Sequence, residues 1–222
     1  MGLIKRLTQA SIASVAGGSA GWALYTRNTR FVPFDTTSPK YPTSVASKLN
    51  PSNNPPACVD HAIRVVPLSR LKTTDQETLT KEFCRGVWSG WGFWYQRRFL
   101  ERKWRPLEGR AGMLWTQQEM EKSAYEQGTM ISDHFEVVER GPEKVIVRCG
   151  DSPLIKDRRP SDGIFAIEVT KDAENATFHL KSSFFNSTPE GANGGPLPWH
   201  FQLLHREYTK LWMETSVRGL LK

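Results

Sequence analysis

The chain has 222 residues, 38% of them apolar and 11% aromatic, enough for one domain with a real core and too hydrophobic for wholesale disorder. Its three cysteines, Cys58, Cys84 and Cys149, lie far apart with no CxxC and no Cys/His cluster at metal spacing, which argues against a disulfide-built secreted domain or a zinc site. The formal charge of +7 fits nucleic acid or an anionic membrane surface, and its position beside a hydrophobic N-terminus favours the membrane.

Residues 1–30 come first in chain order. Twenty uncharged residues separate Arg6 from Arg27, about the length that spans a bilayer, with Trp22 and Tyr25 as an interfacial pair and cations on both flanks. Gly17 and Gly21 add a small-residue face for helix packing. The same stretch is basic, rich in Ser and free of acids before Asp35, the composition of a mitochondrial presequence. The expectation is a single-pass anchor in the endoplasmic reticulum or mitochondrial membrane, or a targeting helix. The sequons Asn175-Ala-Thr177 and Asn186-Ser-Thr188 do not decide its topology. Residues 31–57, rich in Pro, Ser, Thr and Asn and without apolar period, read as a linker.

Residues 58–222 carry the globular domain. VDHAIRVVPL (59–68) is β-branched and weakly alternating, a strand. Thr73, Thr74 and Asp75 cap a helix whose apolar residues Leu79, Phe83, Val87, Trp91, Trp94/Tyr95 and Phe99 step by three or four up to Pro106. Phe83, Val87, Trp91 and Tyr95 make its packing face, and the cations after Tyr95 a surface rim. Gly86, Gly90 and Gly92 either break this helix or admit a close neighbour. A short helix in TQQEMEKSAYEQ follows, then period-two runs at 129–140, 144–152, 163–172 and 176–185, an antiparallel meander. A long helix opened by Pro198 ends the chain, with Phe201, Leu204, Tyr208, Leu211/Trp212 and Val217 on one face.

This order of elements resembles the START-like, helix-grip superfamily, which includes lipid-transfer proteins and polyketide aromatase/cyclases. The resemblance runs from about 58 to 221 and is carried by VDHAIRVVPL, DHFEVVERGPEKVIVRCGDSP, SDGIFAIEV, ATFHLKSSFF and LLHREYTKLWMETSVRGLL. Within that superfamily the chain looks like membrane-anchored fungal members of unassigned activity. The resemblance implies an α+β fold in which an antiparallel curved sheet wraps around the C-terminal helix, leaving an apolar cavity between them. A hotdog-like fold is the alternative, since it too wraps a sheet around a helix. Four or five strands are visible where the family has six or seven, so further strands are expected within 105–132.

The chain has no GxSxG elbow, P-loop, GxGxxG or HExxH, so no cofactor or metal is expected and any chemistry is acid/base work in the cavity. The catalytic candidates are His134, Asp151, His205 and Tyr208. The ligand-binding candidates are Trp91, Tyr95, Arg148, Phe165, Phe184, Leu204 and Trp212. His205 and Tyr208 stand three residues apart on one helix and can present an imidazole and a phenol to one ligand. Each candidate also has a plainer reading. Asp133 and His134 open a strand, so at most one faces inward and a capping role competes. Arg148 and Asp151 belong to a charged run with Asp157, Arg158, Arg159 and Asp162 that also reads as a salt-bridged loop. The tryptophans of 83–104 can stack nucleobases, but their cations follow in a block instead of alternating, so no nucleic-acid partner is expected. The expected partners are a hydrophobic small molecule or lipid, and a membrane through the N-terminal segment. Two functions follow from the resemblance: a cofactor-independent cyclase or isomerase acting on a polyketide or terpenoid intermediate of secondary metabolism, or a membrane-tethered carrier of lipids or other hydrophobic ligands.

Overall fold

Alternating apolar residues build one antiparallel sheet whose two faces receive different cover. The computed structural model describes residues 18–222. Its strands are β1 (Arg30–Phe31), β2 (Cys58–Pro67), β3 (Met130–Ile131), β4 (Phe135–Arg140), β5 (Lys144–Gly150), β6 (Asp162–Lys171) and β7 (Asn175–Phe185), ordered β1-β2-β7-β6-β5-β4-β3. Val145, Val147, Phe165, Ile167, Val169, Phe178 and Leu180 point to the inner face, where the main core lies. Ile146, Ile164, Ala166 and Phe185 point to the outer face and form a second, smaller core. The helices are α1 (residues 18–26), α2 (Thr43–Leu49), α3 (Gln76–Ser89), α4 (Trp91–Trp104), α5 (Gln117–Lys122) and α6 (Trp199–Arg218). The sheet with α6 laid across its inner face is compatible with a helix-grip fold.

The glycine-punctuated helix is two helices. Asp75 caps α3 by accepting a hydrogen bond from the Thr78 amide at 2.9 Å, and the chain turns extended at Gly90 (φ −65°, ψ 162°) before α4 begins. The break resets the helical phase. Phe83 and Val87 are buried as expected, but Trp91 and Tyr95 are 61% and 75% exposed, while α4 buries Phe93, Arg97 and Leu100 instead. Gly86 and Gly92 serve close approach. A Cβ on Gly86 would lie 2.9 Å from the Ser216 Cα, and one on Gly92 2.7 Å from the Thr215 hydroxyl, both on α6. Trp88 and Phe93 then meet Trp212, Phe135 and Phe165 edge to face or tilted, with Trp88 and Trp212 centroids 5.5 Å apart. The C-terminal half of α6 is clamped to β2 by the buried Arg64–Glu214 pair at 2.7 Å, to which the Thr29 hydroxyl adds a second bond at 2.7 Å.

Two further expectations change. The run 129–140 is divided by Ser132 and Asp133, whose φ values of 51° and 59° turn the backbone left-handed, so a two-residue β3 precedes β4. The further strands expected within 105–132 do not form: β3 is the start of the run at 129–140, Leu114 makes only an isolated bridge to Ile131, and the added strand is β1, before β2. Residues 31–57 are no spacer. Val45, Ala46 and Leu49 of α2 cover the outer core, and the Asn54 amide donates to the carbonyls of Asn186 and Thr188, each at 2.7 Å. Asn50 and Asn54 satisfy backbone groups within the segment and in the turn after β7, a role composition alone does not distinguish from solvation.

Most of the expected anchor lies outside the described residues, and among the described ones no helix is long and apolar enough to cross a membrane. Trp22 and Tyr25 pack on the domain: the Trp22 indole donates to Glu207 at 2.5 Å, and the Arg218 guanidinium sits 3.9 Å from the centre of the Tyr25 ring.

Two predictions test this architecture. Gly86→Ala should destabilise by about 1–3 kcal/mol, because the clash is with backbone and outweighs a helix-propensity gain of about 1 kcal/mol; denaturant titration measures it. The second concerns His61 and His179 on the outer face, whose Nε2 and Nδ1 are 2.9 Å apart. Burial, together with Lys181, pushes both down to about 3. Between the ordinary histidine value of about 6.5 and that level, the unfolded chain takes up protons that the folded chain refuses. Their contribution is whole above pH 6.5 and is lost as pH falls, at up to about 1.4 kcal/mol per pH unit per histidine. His179→Gln should flatten the fall in stability between pH 6.5 and 4.5.

Candidate functional site

The inner face of the sheet and the first half of α6 part enough to enclose an apolar cavity of about 230 Å³. Residues at i, i+3, i+4 and i+7 of one helix share a face, and here they are His205, Tyr208, Thr209 and Trp212. The sheet contributes Phe135, Cys149, Phe165 and Phe184, inward positions of β4 to β7. Gln96 enters from α4 and His134 from the turn before β4. Larger clefts of about 460 and 510 Å³ lie around residues 30–56 on the outer side, lined mainly by Pro, Thr, Ser and Asn of the strap with the His61–His179 pair at one floor.

Ionisable groups meet the cavity from two walls. His205 Nε2 is 2.9 Å from Asp60 Oδ2 and 3.3 Å from the Ser182 hydroxyl, and its ring stacks edge-on against Phe184 with centroids 4.9 Å apart. The Asp60 contact falls outside in-line hydrogen-bond geometry, so neither carboxylate oxygen has a hydrogen-bond partner although the residue is buried. His134 faces this pair from the sheet side. It is held there by Asp133, which is buried in its left-handed turn and accepts hydrogen bonds from Arg110 Nε at 2.8 Å and from the Ser152 hydroxyl. Burial lowers the His134 pKa, against a smaller raising effect of Asp133, so the ring is neutral near pH 7. Burial pushes the Tyr208 phenol up to about 12 and raises the Cys149 thiol as well, leaving both protonated.

Three polar atoms of cavity-lining residues are buried without a partner in good hydrogen-bond geometry, Tyr208 OH, Trp212 Nε1 and His134 Nδ1, although the Trp212 indole is near enough to act on the Tyr208 phenol against the larger effect of burial. Such atoms cost about 1–3 kcal/mol each when left unpaired. Two are donors on one helix face, with His205 one turn before them. The arrangement suits a small apolar molecule bearing an oxygen acceptor, since the volume is below the roughly 300–1,000 Å³ usual for drug-sized ligands.

Of the residues singled out in the sequence, His134, Phe165, Phe184, His205, Tyr208 and Trp212 line this cavity. The other five lie elsewhere. Trp91, Tyr95 and Leu204 are on the surface, the first two because Gly90 shifts the phase of α4 and Leu204 because the neighbouring His205, not Leu204, is turned to the sheet. Arg148 is on the outer face, where it forms a bidentate pair with Asp162 at 2.6 and 2.8 Å and donates to the Asp157 carbonyl. Asp151 holds the β5–β6 loop through the Ser161 amide at 3.0 Å. Asp60, Ser182, Gln96 and Cys149 are additions. Asp60 and Arg64 alternate with Ala62 and Val66 on β2, and two charges on an apolar strand face signal buried partners; these are His205 and Glu214. Among the described residues no three His, Cys, Asp or Glu side chains converge as a metal site.

Tyr208→Phe should raise stability by about 1 kcal/mol in the free protein, because it removes an unpaired buried hydroxyl and keeps the ring; a thermal melt measures this.

No family model, curated protein or solved structure matches this chain.

Proposed function

We propose that the protein is a START-like, helix-grip cofactor-independent isomerase or cyclase acting on a small hydrophobic carbonyl compound of the polyketide or terpenoid type. The observation that carries this reading is the set of buried, unpartnered donors beside a carboxylate-backed imidazole in an apolar cavity. Along α6, Tyr208 follows His205 by three residues, so the two side chains share one face and can reach one small substrate. His205, with Nε2 beside Asp60, takes a proton from that carbon through Nδ1. The electron pair moves to the carbonyl oxygen as an enolate, and the Tyr208 hydroxyl and the Trp212 indole donate hydrogen bonds to it. Returning the proton to a more distant carbon isomerises the substrate; attack of the enolate carbon on a second carbonyl, which takes up the proton, closes a ring. In this reading His134, which lines the opposite wall, relays the proton, and the aromatic lining of Phe135, Phe165 and Phe184 restricts the substrate to folded shapes. Attachment to a membrane through the N-terminal segment belongs to the same proposal and would place the enzyme where hydrophobic intermediates collect.

The test is solvent deuterium incorporation. The purified full chain in D₂O, given a panel of small β,γ-unsaturated ketones and β-dicarbonyl compounds, should exchange or isomerise at least one well above buffer. His205→Ala should reduce that rate by about 10²–10⁴-fold and Tyr208→Phe by a smaller factor. Exchange equal to buffer across the panel, with hydrophobic molecules still co-purifying unchanged, would establish a carrier instead.

A further inference from the structure

We infer that α4 and the first turns of α6 form a docking surface for an anionic bilayer at the mouth of the cavity. On α4, Trp91, Trp94, Tyr95, Arg98, Phe99 and Arg102 follow the i, i+3, i+4, i+7, i+8, i+11 pattern of a single helix face, and all six are exposed. A solvent-facing stripe at helical spacing is ordinarily polar; this one begins with three aromatic rings and continues with Arg98, Phe99 and Arg102. α6 presents Trp199, Phe201, Leu203 and Leu204 before it reaches the sheet, with Trp199 75% exposed. The two surfaces flank one opening, because Gln96 next to Tyr95 and His205 next to Leu204 both line the cavity. Solvent-exposed aromatics in this number exceed what a monomer scatters over its surface.

The charge decides what covers them. Residues 91–105 carry four exposed cations, Arg98, Arg102, Lys103 and Arg105, beside the buried Arg97, and their one acid, Glu101, is already paired with Arg105 at 2.6 Å. Lys103 lies over the Trp104 ring at 4.5 Å, so the cations and rings form one surface. A two-fold contact between copies sets a patch against itself and would oppose these cations to one another. An anionic lipid surface complements them, and Trp, Tyr and Phe are the side chains that settle at the headgroup level beside Arg and Lys. The chain also enters the domain here: Tyr25 of α1 packs on Trp91 with centroids 6.0 Å apart, and Leu24 beside it is 62% exposed. A membrane seated on this face meets the opening directly, so a hydrophobic ligand passes between bilayer and cavity without crossing water. The surface stands on its own geometry, whether the cavity catalyses or carries.

All three native cysteines are buried, so an introduced surface cysteine can be labelled selectively. The full chain carrying Tyr95→Cys is labelled with an environment-sensitive dye and mixed with phosphatidylcholine vesicles with or without phosphatidylserine. Glu174→Cys, in the exposed turn at the opposite end of β6 and β7, is the control. The label at 95 should enter an apolar environment only with phosphatidylserine present, and the label at 174 should not respond. Arg98→Glu, Arg102→Glu and Lys103→Glu together should weaken this response by about a hundredfold in lipid concentration, with the thermal melt unchanged. Three outcomes overturn the inference: no response at 95, an equal response at both positions, or a response at 95 that follows protein concentration without vesicles, which would mark a contact between copies.

Discussion

At Gly86 the backbone of α3 runs so near α6 that a methyl group would meet the Cα of Ser216 at 2.9 Å, and that approach sets the position of everything laid on the inner face. Only there can Trp88 reach the aromatic group around Trp212, and only with α6 drawn in can Glu214 pair with Arg64 on β2. The pair is buried on both sides, so it stabilises the fold only while both partners and the Thr29 hydroxyl stay in register. Close approach, aromatic packing and buried charge therefore act at one seam.

The cavity is the other end of that seam. α6 is pressed down over its C-terminal half, where Met213 and Val217 are fully buried, and stands off over the half that carries His205 and Tyr208. The gap is lined by side chains whose polar ends have no protein partner, while the polar groups on the outer face are extensively paired: Arg148 with Asp162, Lys181 with Glu168, His61 with His179. Of the buried polar atoms left without a partner, Tyr208 OH, Trp212 Nε1 and His134 Nδ1 converge on the cavity, whereas Tyr25 OH, Trp88 Nε1, Arg97 Nη1 and Arg159 Nη2 lie away from it. It is this convergence, more than the type of any one residue, that marks candidate chemistry.

Much of the strand content was legible because period-two alternation is a local property. The runs at 144–152, 163–172 and 176–185 coincide closely with β5, β6 and β7. The long C-terminal helix was equally plain, from Pro198 to the last periodic residue. The errors have separate sources. Trp91 and Tyr95 continue the rhythm of Phe83 and Val87 in sequence, but a single extended residue at Gly90 rotates them out to solvent. Arg148 sits in an inward-looking run of apolar residues, and the pleat sends it outward to Asp162. The segment 31–57 has linker composition, and its packing depends on a complementary outer face made by residues far along the chain.

By itself the sequence determined the long strands β2 and β4 to β7, the helical character of 76–104, and the long closing helix with His205, Tyr208 and Trp212 on one face, because these follow from the fixed periods of the backbone; α2 and β1 left no such period. The tertiary structure alone decided that Asp60 stands behind His205, that His134 is turned toward the cavity by a left-handed Asp133, and that the aromatic stripe of α4 faces outward. Those relations join residues up to 145 positions apart, as Asp60 and His205 are. They depend on strand order and on the close helix contact at Gly86, neither of which leaves a local pattern to read.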